Sequence, residues 1–307
     1  MRYLRFFLLV LGIMPVVASA QQNPRETGVP VSMVVTAELR RGGDVPMLDE
    51  KDVMVYLNHQ RAKVTNWEQL QGQQAGVEVF LLIDDNSSDA LGTQLGDLRE
   101  FINGLPATTA IGVAYMQNGT AVIAQDLTKD HALAAKALRL PLGDVGASAS
   151  PYFSLGDLIK RWPQSKGPRE VLMVTDGIDR YWGNSPDDPY VDSVVDQSQK
   201  AGVVVFSIYM PGVGHYGHSH WGAYWGQIFL SQVSESTGGE SYFLWYSAPV
   251  AFRPYLQDFT NKLQHQFILT FLAPPEKKSG FQQVKVQTEV PNVDLVSADK
   301  VYVPAGQ

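Results

Sequence analysis

The positions of apolar residues predict β-structure at both ends of the chain. Near the start, runs rich in β-branched residues at Val31–Leu39, Val53–Leu57 and Ala62–Trp67 are separated by turn formers, which indicates an antiparallel meander. After Pro274 apolar and polar residues alternate again, and Val293–Val303 adds another strand. Because neither end is long enough to bury a core alone, we expect the two ends to meet as one small β-sandwich module.

Between these ends, the pattern alternates between buried strands and helices. Val77–Ile83, Val171–Thr175 and Val203–Met210 are nearly continuous apolar runs, as expected of strands that are buried on both faces of a parallel sheet. Helical spacing of apolar residues follows these strands, and the Asn-Gly pair that begins at Asn118 marks an antiparallel hairpin. We therefore predict an α/β domain with a doubly wound, mostly parallel sheet flanked by helices and completed by Phe267–Leu272.

The first 20 residues predict export. Arg2 and Arg5 precede an apolar run, and Ala18, Ser19 and Ala20 are the small residues that a signal peptidase recognises. The apolar run is shorter than the ~20 residues that cross a bilayer. We expect cleavage after Ala20 and a secreted or periplasmic protein that does not span the membrane.

Composition narrows the function classes. The sequence has no cysteine, which excludes disulfides, thiolate nucleophiles and cysteine-ligated metals within it. Its formal charge of −7 without a basic cluster argues against a nucleic-acid partner.

With the signal peptide at 1–20, we divide the chain into an N-terminal β-segment at 21–75, the α/β domain at 76–273 and a C-terminal β-segment at 274–307.

Two groups of oxygen-bearing side chains follow buried strands. Asp-Asp-Asn-Ser-Ser at 84–88 follows the first strand, and Asp-Gly-Ile-Asp at 176–179 follows the second. Ligands of open α/β sheets bind beyond the carboxyl ends of the strands, and like charges gathered there repel one another. A cation with oxygen ligands, Mg²⁺, Ca²⁺ or Mn²⁺, would explain both groups. The alternative is that Asp84 and Asp176 cap helices or turns, which is the better account of either residue alone.

These motifs resemble a known family. The segment 79–88 resembles the first strand and D-x-S-x-S loop of von Willebrand factor type A (VWA) domains, and Val171–Gly177 resembles their fourth strand with its T-D-G ending. The order of strands also matches over about 77–273. The flanks at 34–67 and 280–302 are similar to those of an exported VWA family common in acidobacteria. The resemblance implies a Rossmann-like fold with a metal-ion-dependent adhesion site.

The resemblance also implies a set of metal ligands. They are Asp84, Asn86, Ser88, Ser150 and Asp176. Ser150 takes the place of the family's threonine, with Ser148 as the alternative, and asparagine at position 86 replaces a serine. These two departures make the site degenerate, so we expect Mg²⁺, Ca²⁺ or Mn²⁺ to bind weakly or not at all.

The implied mechanism is coordination without turnover, because the ion keeps an open position for a Glu or Asp of a protein partner. The predicted function is therefore that of an exported, non-catalytic adhesion or binding protein. A metal-free VWA scaffold for protein–protein assembly is the alternative. A metal-dependent phosphoesterase is less favoured because the second aspartate of a D-x-D motif is absent, and no G-x-S-x-G motif of a serine hydrolase occurs.

A second candidate surface lies after the third buried strand. His215, His218 and His220 fall within 212–225, where Trp221 and other aromatic residues are interleaved with them. Histidines at this spacing would suit a transition metal. Because the segment contains no carboxylate, we favour an aromatic, glycine-rich ligand-binding loop on the same rim as Asp84.

Overall fold

The computed structural model of the protein describes residues 28–306, apart from 42, 71–75, 144, 145, 147, 164–166, 184 and 215–218. The predicted signal peptide lies outside these residues. Among the described residues, no helix is both long and apolar enough to cross a membrane.

The described residues form two sheets and a set of helices. The strands are β1 (Val29–Leu39), β2 (Val53–Leu57), β3 (Gln60–Gln69), β4 (Glu78–Asp84), β5 (Ala110–Gln117), β6 (Thr120–Thr128), β7 (Arg169–Thr175), β8 (Val203–Tyr209), β9 (Ser241–Tyr242), β10 (Gln266–Ala273), β11 (Gly280–Thr288), β12 (Val293–Ser297) and β13 (Lys300–Val303). The helices are α1 (Leu95–Gly104), α2 (His131–Lys136), α3 (Pro151–Lys160), α4 (Pro189–Ala201), α5 (His220–Thr237) and α6 (Arg253–Gln264), with 3₁₀ turns at Glu50–Asp52 and Asp89–Gln94.

The first sheet lies between two layers of helices. Its order is β6-β5-β4-β7-β8-β9, and every pairing is parallel except the β5–β6 hairpin. Asn118 and Gly119 form the hairpin turn, both with positive φ, as the Asn-Gly pair predicts. Apolar residues of α1, α2 and α6 pack on one face, and those of α3, α4 and α5 pack on the other. A mostly parallel sheet flanked by helices is thus confirmed, and we call this part the α/β unit.

The second sheet is antiparallel, has seven strands and packs around its own core. Its order is β12-β1-β10-β3-β2-β11-β13, so both ends of the chain contribute to it. Buried residues from five of its strands, among them Val35, Val55, Phe271, Val286 and Val301, form one apolar cluster. The two ends therefore meet as predicted, but in a single curled sheet rather than in a two-sheet sandwich.

Strand β10 corrects the predicted placement of Phe267–Leu272. This segment was expected to complete the parallel sheet, but it pairs antiparallel with β1 and β3. Phe267, Leu269 and Phe271 are buried, whereas Ile268 and its neighbours on the outer face are only half-buried. Apolar residues on that outer face conceal the one-sided pattern, so the run looks like a strand buried on both faces.

Two further predictions, the N-terminal meander and the last strand, are wrong in detail. β1 does not pair with β2, because β10 and β3 lie between them in the sheet, so the expected meander is reduced to the β2–β3 hairpin. The predicted strand Val293–Val303 is two strands, of which β12 pairs with β1 and β13 pairs with β11.

Polar contacts join the antiparallel sheet to the α/β unit. Gln266 Nε2 at the start of β10 donates to Glu170 Oε1 on β7 at 2.9 Å, and both side chains are fully buried. Burial raises the pKa of Glu170 well above its usual range. Lys262 Nζ on α6 lies 2.8 Å from Glu38 Oε1 on β1 and 3.0 Å from Glu240 Oε2. Both contacts fix the position of β10 and α6 against the sheet that carries the candidate site.

Candidate functional site

Asp84 ends β4 at the carboxyl edge of the parallel sheet and is 2% exposed. Its Oδ1 accepts the backbone N–H of Asn86 at 2.9 Å, and its Oδ2 accepts the Thr175 hydroxyl at 2.6 Å. Burial and the neighbouring charge of Asp176 raise the pKa of Asp84 to about 6, although Arg180 and these hydrogen bonds act in the opposite direction. Asp84 and Asp176 therefore lie close enough to repel each other, as the sequence predicts.

Asp176, just after β7, is paired with an arginine that the sequence reasoning did not consider. Arg180 Nη2 donates to Asp176 Oδ2 at 2.6 Å, and Nη1 donates to Oδ1 at 3.1 Å. The two side chains are only 3% and 1% exposed. A guanidinium that meets a carboxylate through two parallel hydrogen bonds is among the strongest polar contacts in proteins.

The turn after β7 brings Arg180 back onto Asp176. Gly177 adopts a φ of +68°, in the left-handed region that favours glycine, and Ile178 N–H donates to Asp176 Oδ1 at 3.0 Å. The backbone N–H of Arg180 then donates to the carbonyl of Ala149 at 2.9 Å. A Cβ at Gly212 would collide with both the Asp176 carboxylate and the guanidinium. The ion pair is therefore enclosed by the backbone of a neighbouring segment.

Ser150, predicted as a ligand, serves the local structure. It caps α3, where its Oγ accepts the N–H of Phe153 at 3.3 Å, and it donates to Asp179 Oδ2 at 2.7 Å. Asp179 Oδ1 also accepts the N–H groups of Tyr181 and Trp182. The alternative ligand Ser148 donates its backbone N–H to Asn118 Oδ1 at 2.7 Å.

The loop 86–88 is pinned to the segment after β8. Ser88 N–H donates to the Pro211 carbonyl at 2.9 Å, and Val213 N–H donates to the Asn86 carbonyl at 2.8 Å. Asn86 and Ser87 are buried, and within the described part of the chain Asn86 Oδ1 and Ser87 Oγ have no hydrogen-bond partner. Ser88 is half-buried at the start of the 3₁₀ turn. Two buried acceptor oxygens therefore lie on this loop without a donor.

A second Arg–Asp pair lies at the same edge of the sheet. Arg139 Nη1 and Nη2 donate to Asp85 Oδ1 and Oδ2 at 2.6 and 2.8 Å, and Gln117 Nε2 donates to Asp85 Oδ2 at 2.7 Å. The Arg139 guanidinium also stacks 3.7 Å from the centre of the Tyr115 ring. Asp85 therefore fastens the loop after β4 to Arg139 and Gln117.

Two of the five predicted metal ligands are engaged with other side chains in the structure. The five gather at one edge of the sheet, but both oxygens of Asp176 are bound to Arg180, and Ser150 donates to Asp179. Across residues 28–306, outside the gaps given above, no group of three His, Asp or Glu side chains is placed to hold a metal. Metal binding by Asp84, Asn86, Ser88, Ser150 and Asp176 therefore stays a prediction.

The histidine-rich segment is partly helical. Ser219 Oγ accepts the N–H of Gly222 at 3.2 Å and so caps α5, which begins at His220. The prediction that 212–225 is a loop is wrong from His220 onward, where α5 begins. The glycine and aromatic residues of this segment hid the helix start in the sequence. Trp221 is 69% exposed on the first turn of α5, and the His220 ring lies 5.9 Å from that of Tyr246. His215 and His218 lie outside the described residues.

Exposed aromatic side chains follow three consecutive parallel strands. We call them the aromatic rim: Tyr181 and Trp182 after β7, Trp221 and Tyr224 after β8, and Phe243 and Trp245 after β9. Each is more than 40% exposed, and Trp245 reaches 76%. Tyr224, Phe243 and Trp245 of the rim line one groove of about 700 Å³. Gln227 Nε2 donates to the Trp245 carbonyl at 2.5 Å and holds the last loop against α5.

Comparison with known proteins gives structural matches only. No family model matches the sequence, and no curated protein matches it. A serine-substituted aerotolerance-related membrane protein from Bacteroides fragilis is 16% identical, with a TM-score of 0.42 over 61% of this chain and 98% of its own. The ArnB paralog VWA2 from Sulfolobus acidocaldarius is 10% identical, with a TM-score of 0.36 over 90% of this chain and 76% of its own.

The SpRpn10 VWA domain is 14% identical, with a TM-score of 0.38 over 61% of this chain and 96% of its own. Structures named as VWA domains are thus among those that match. The resemblance to an exported family of acidobacteria stays a prediction.

Proposed function

We propose that the chain is an exported, non-catalytic binding protein that holds a protein partner on the aromatic rim. One observation carries the proposal: the exposed aromatic side chains are gathered after β7, β8 and β9, at the edge where open α/β sheets bind their ligands. Trp221 contacts Tyr224, which lines one groove with Phe243 and Trp245, and exposed apolar patches of this kind are typical of interaction sites. Tyrosine and tryptophan are also enriched among the residues that dominate binding energy.

The buried acids at this edge support a framework role rather than a chemical one. Asp85 is bound by Arg139, Asp176 by Arg180, and Asp179 by the Ser150 hydroxyl and two backbone N–H groups. These contacts fix the loops after β4 and β7, and the loop after β7 carries Tyr181 and Trp182 of the rim. Export is part of the proposal and depends on the signal sequence before Gln21.

A second candidate function is adhesion through a divalent cation that coordinates a Glu or Asp of the partner. The unpartnered oxygens Asn86 Oδ1 and Ser87 Oγ favour it, as does the repulsion between Asp84 and Asp176. For this function Arg180 would have to leave Asp176. The proposed rim contact requires no such rearrangement.

Quantitative affinity capture from an extract of the source cells tests the proposal. The wild type is compared with the Trp221→Ser/Trp245→Ser double variant and with Met47→Ser, which removes a 91% exposed side chain outside the α/β unit. A partner retained by the wild type and Met47→Ser but lost by the double variant, with or without EDTA, supports rim binding. Equal retention by all three proteins contradicts it. Loss with EDTA alone favours the cation-dependent function instead.

A further inference from the structure

Arg180 lies at the carboxyl ends of β4 and β7, beside the buried carboxylates of Asp84 and Asp176, which we call the strand-end site. Its guanidinium binds both oxygens of Asp176, donates from Nη1 to the Ile178 carbonyl at 3.3 Å, and lies near enough to Asp84 for their charges to interact. The side chain is only 3% exposed. An arginine charge is buried only where carboxylates compensate it, and here two are present.

The loop after β4, next to the segment that encloses Arg180, carries oxygen atoms without partners. Asn86 Oδ1 and Ser87 Oγ are buried on the loop after β4 and have no donor within the described part of the chain. Arg180 Nε is likewise buried without a partner. Removing the side chain would free the Asp176 carboxylate beside Asp84. The loop that carries Asn86 and Ser87 is held next to it, because Ser88 N–H and the Asn86 carbonyl bond to Pro211 and Val213 on either side of Gly212. Carboxylate, amide and hydroxyl oxygens are the ligands that Mg²⁺ and Ca²⁺ prefer.

We propose that the Arg180 guanidinium is the resident cation of this site, so that the folded protein needs no divalent ion there, and that removing the side chain creates a Mg²⁺ or Ca²⁺ site. The arginine supplies one positive charge between two carboxylates, the position in which a bound metal would otherwise be required. It is covalently attached and enclosed by Gly212, so the charge does not depend on ion concentration. The inference is independent of whether the aromatic rim binds a partner.

Thermal unfolding of chelator-treated protein, with and without millimolar MgCl2 or CaCl2, tests the proposal. We expect the Tm of the wild type to be unchanged by either ion. The Tm of Arg180→Ala should be lower than that of the wild type without ions and should rise by several degrees when an ion is added, because only the folded state binds it. Calorimetric titration should show one bound ion for this variant.

Two control variants test whether the ion response needs the space left by the Arg180 side chain and whether it is specific to this Arg–Asp pair. Arg180→Met removes the charge but keeps most of the volume, so it should lower Tm without creating an ion response. Arg139→Ala breaks the other Arg–Asp pair and should give no ion response either. Adding Asp84→Ala to Arg180→Ala should abolish the response, which places the ion at this site.

Each outcome decides the proposal. An ion-induced rise in the wild-type Tm that Asp84→Ala abolishes would overturn it, since the site would then bind a metal with Arg180 present. A folded Arg180→Ala protein that ignores both ions would overturn it as well. If Arg180→Ala is unfolded without ions, recovery of its far-ultraviolet circular dichroism on adding Ca²⁺ or Mg²⁺ supports the proposal, and failure to recover contradicts it.

Discussion

Two Arg–Asp pairs lie at the same edge of the parallel sheet but differ in what surrounds them. Arg139 is 36% exposed and stacks on Tyr115, and its partner Asp85 also accepts hydrogen bonds from Gln117 and from the backbone. Arg180 is 3% exposed, and its partner Asp176 lies beside a second buried carboxylate, that of Asp84. The first pair keeps contact with water, whereas the second is almost fully enclosed.

The two pairs therefore have different roles. The Arg139–Asp85 pair holds a loop in place, whereas the Arg180–Asp176 pair supplies a positive charge that the buried carboxylates need. Asp85 keeps hydrogen-bond donors if Arg139 is removed, so its pair only fastens the loop after β4 to the segment before α3. Asp84 and Asp176 have no other cationic side chain bound to them in the described residues, so Arg180 is what allows both to be buried. When a half-exposed arginine is removed, water can reach the carboxylate that was its partner. When an enclosed arginine is removed, water cannot reach that carboxylate.

The largest effect should come from Arg180→Ala. We expect it to lower the free energy of unfolding by about 3–5 kcal/mol without divalent ions, because it leaves buried carboxylates without a compensating charge. Urea unfolding measures this loss. The double variant Asp176→Ala/Arg180→Ala should lose less than the sum of the single variants, since the two side chains are coupled. Additive losses would mean that the pair is not the unit we describe.

Arg139→Ala should cost less, about 1–2 kcal/mol, because its partner keeps other donors and water reaches the vacated position. The same urea measurement, made on both arginine variants in parallel, tests the comparison directly. A loss for Arg139→Ala equal to that of Arg180→Ala would show that exposure does not distinguish the two pairs.

Another buried carboxyl, Glu170, has an amide for a partner instead of an arginine. Gln266 Nε2 donates to Glu170 Oε1, while Glu170 Oε2 and Gln266 Oε1 lack partners in the described structure. A protonated Glu170 carries no charge, so it needs no compensating cation in this buried position. Burial raises the folded-state pKa of Glu170, so the folded protein binds this proton more tightly than the unfolded chain does.

The contribution of Glu170 to stability should therefore be fully present below its unfolded pKa of about 4.3 and fall as the pH rises toward the folded pKa. Glu170→Gln keeps an amide donor for Gln266 and removes the titration. Relative to the wild type, its free energy of unfolding should increase by up to about 1.4 kcal/mol per pH unit above pH 5. Glu68→Gln, on an exposed position of β3, is the matched control. Parallel stability–pH curves for the wild type and Glu170→Gln would contradict the prediction.

The smallest effect should come from the aromatic rim. Trp221→Ser replaces a 69% exposed side chain, so the free energy of unfolding should change by no more than about 0.5 kcal/mol. Thermal and urea unfolding of this variant measure the change. A loss above 2 kcal/mol would show that Trp221 belongs to the packing of α5 rather than to a binding surface.

Much of the site could be predicted from the sequence. The buried runs that end at Asp84 and Thr175 indicate parallel strands, and the carboxyl ends of neighbouring parallel strands meet at one edge. This reasoning brings Asp84 and Asp176 together. It also places Trp221 at the same edge, because it follows the third buried strand.

The partners of these residues could not be predicted in the same way. Arg180 lies four residues after Asp176, but only the turn at Gly177 directs its side chain back, and no pattern of apolar residues reports such a turn. The available signal was the glycine followed by a charged pair, Asp179 and Arg180, within a segment expected to hold cation ligands. For β10, apolar residues on its half-exposed face gave the same appearance as a fully buried strand.

The central claim, that Arg180 takes the place of a bound cation, is tested most directly by a crystal structure of the wild type grown with MnCl2. Anomalous diffraction locates Mn²⁺ without reference to any assumed ligand. We predict no anomalous peak beside Asp84 and Asp176, and density for the Arg180 guanidinium on both oxygens of Asp176. A manganese peak bonded to these aspartates, with Arg180 displaced, would contradict the account.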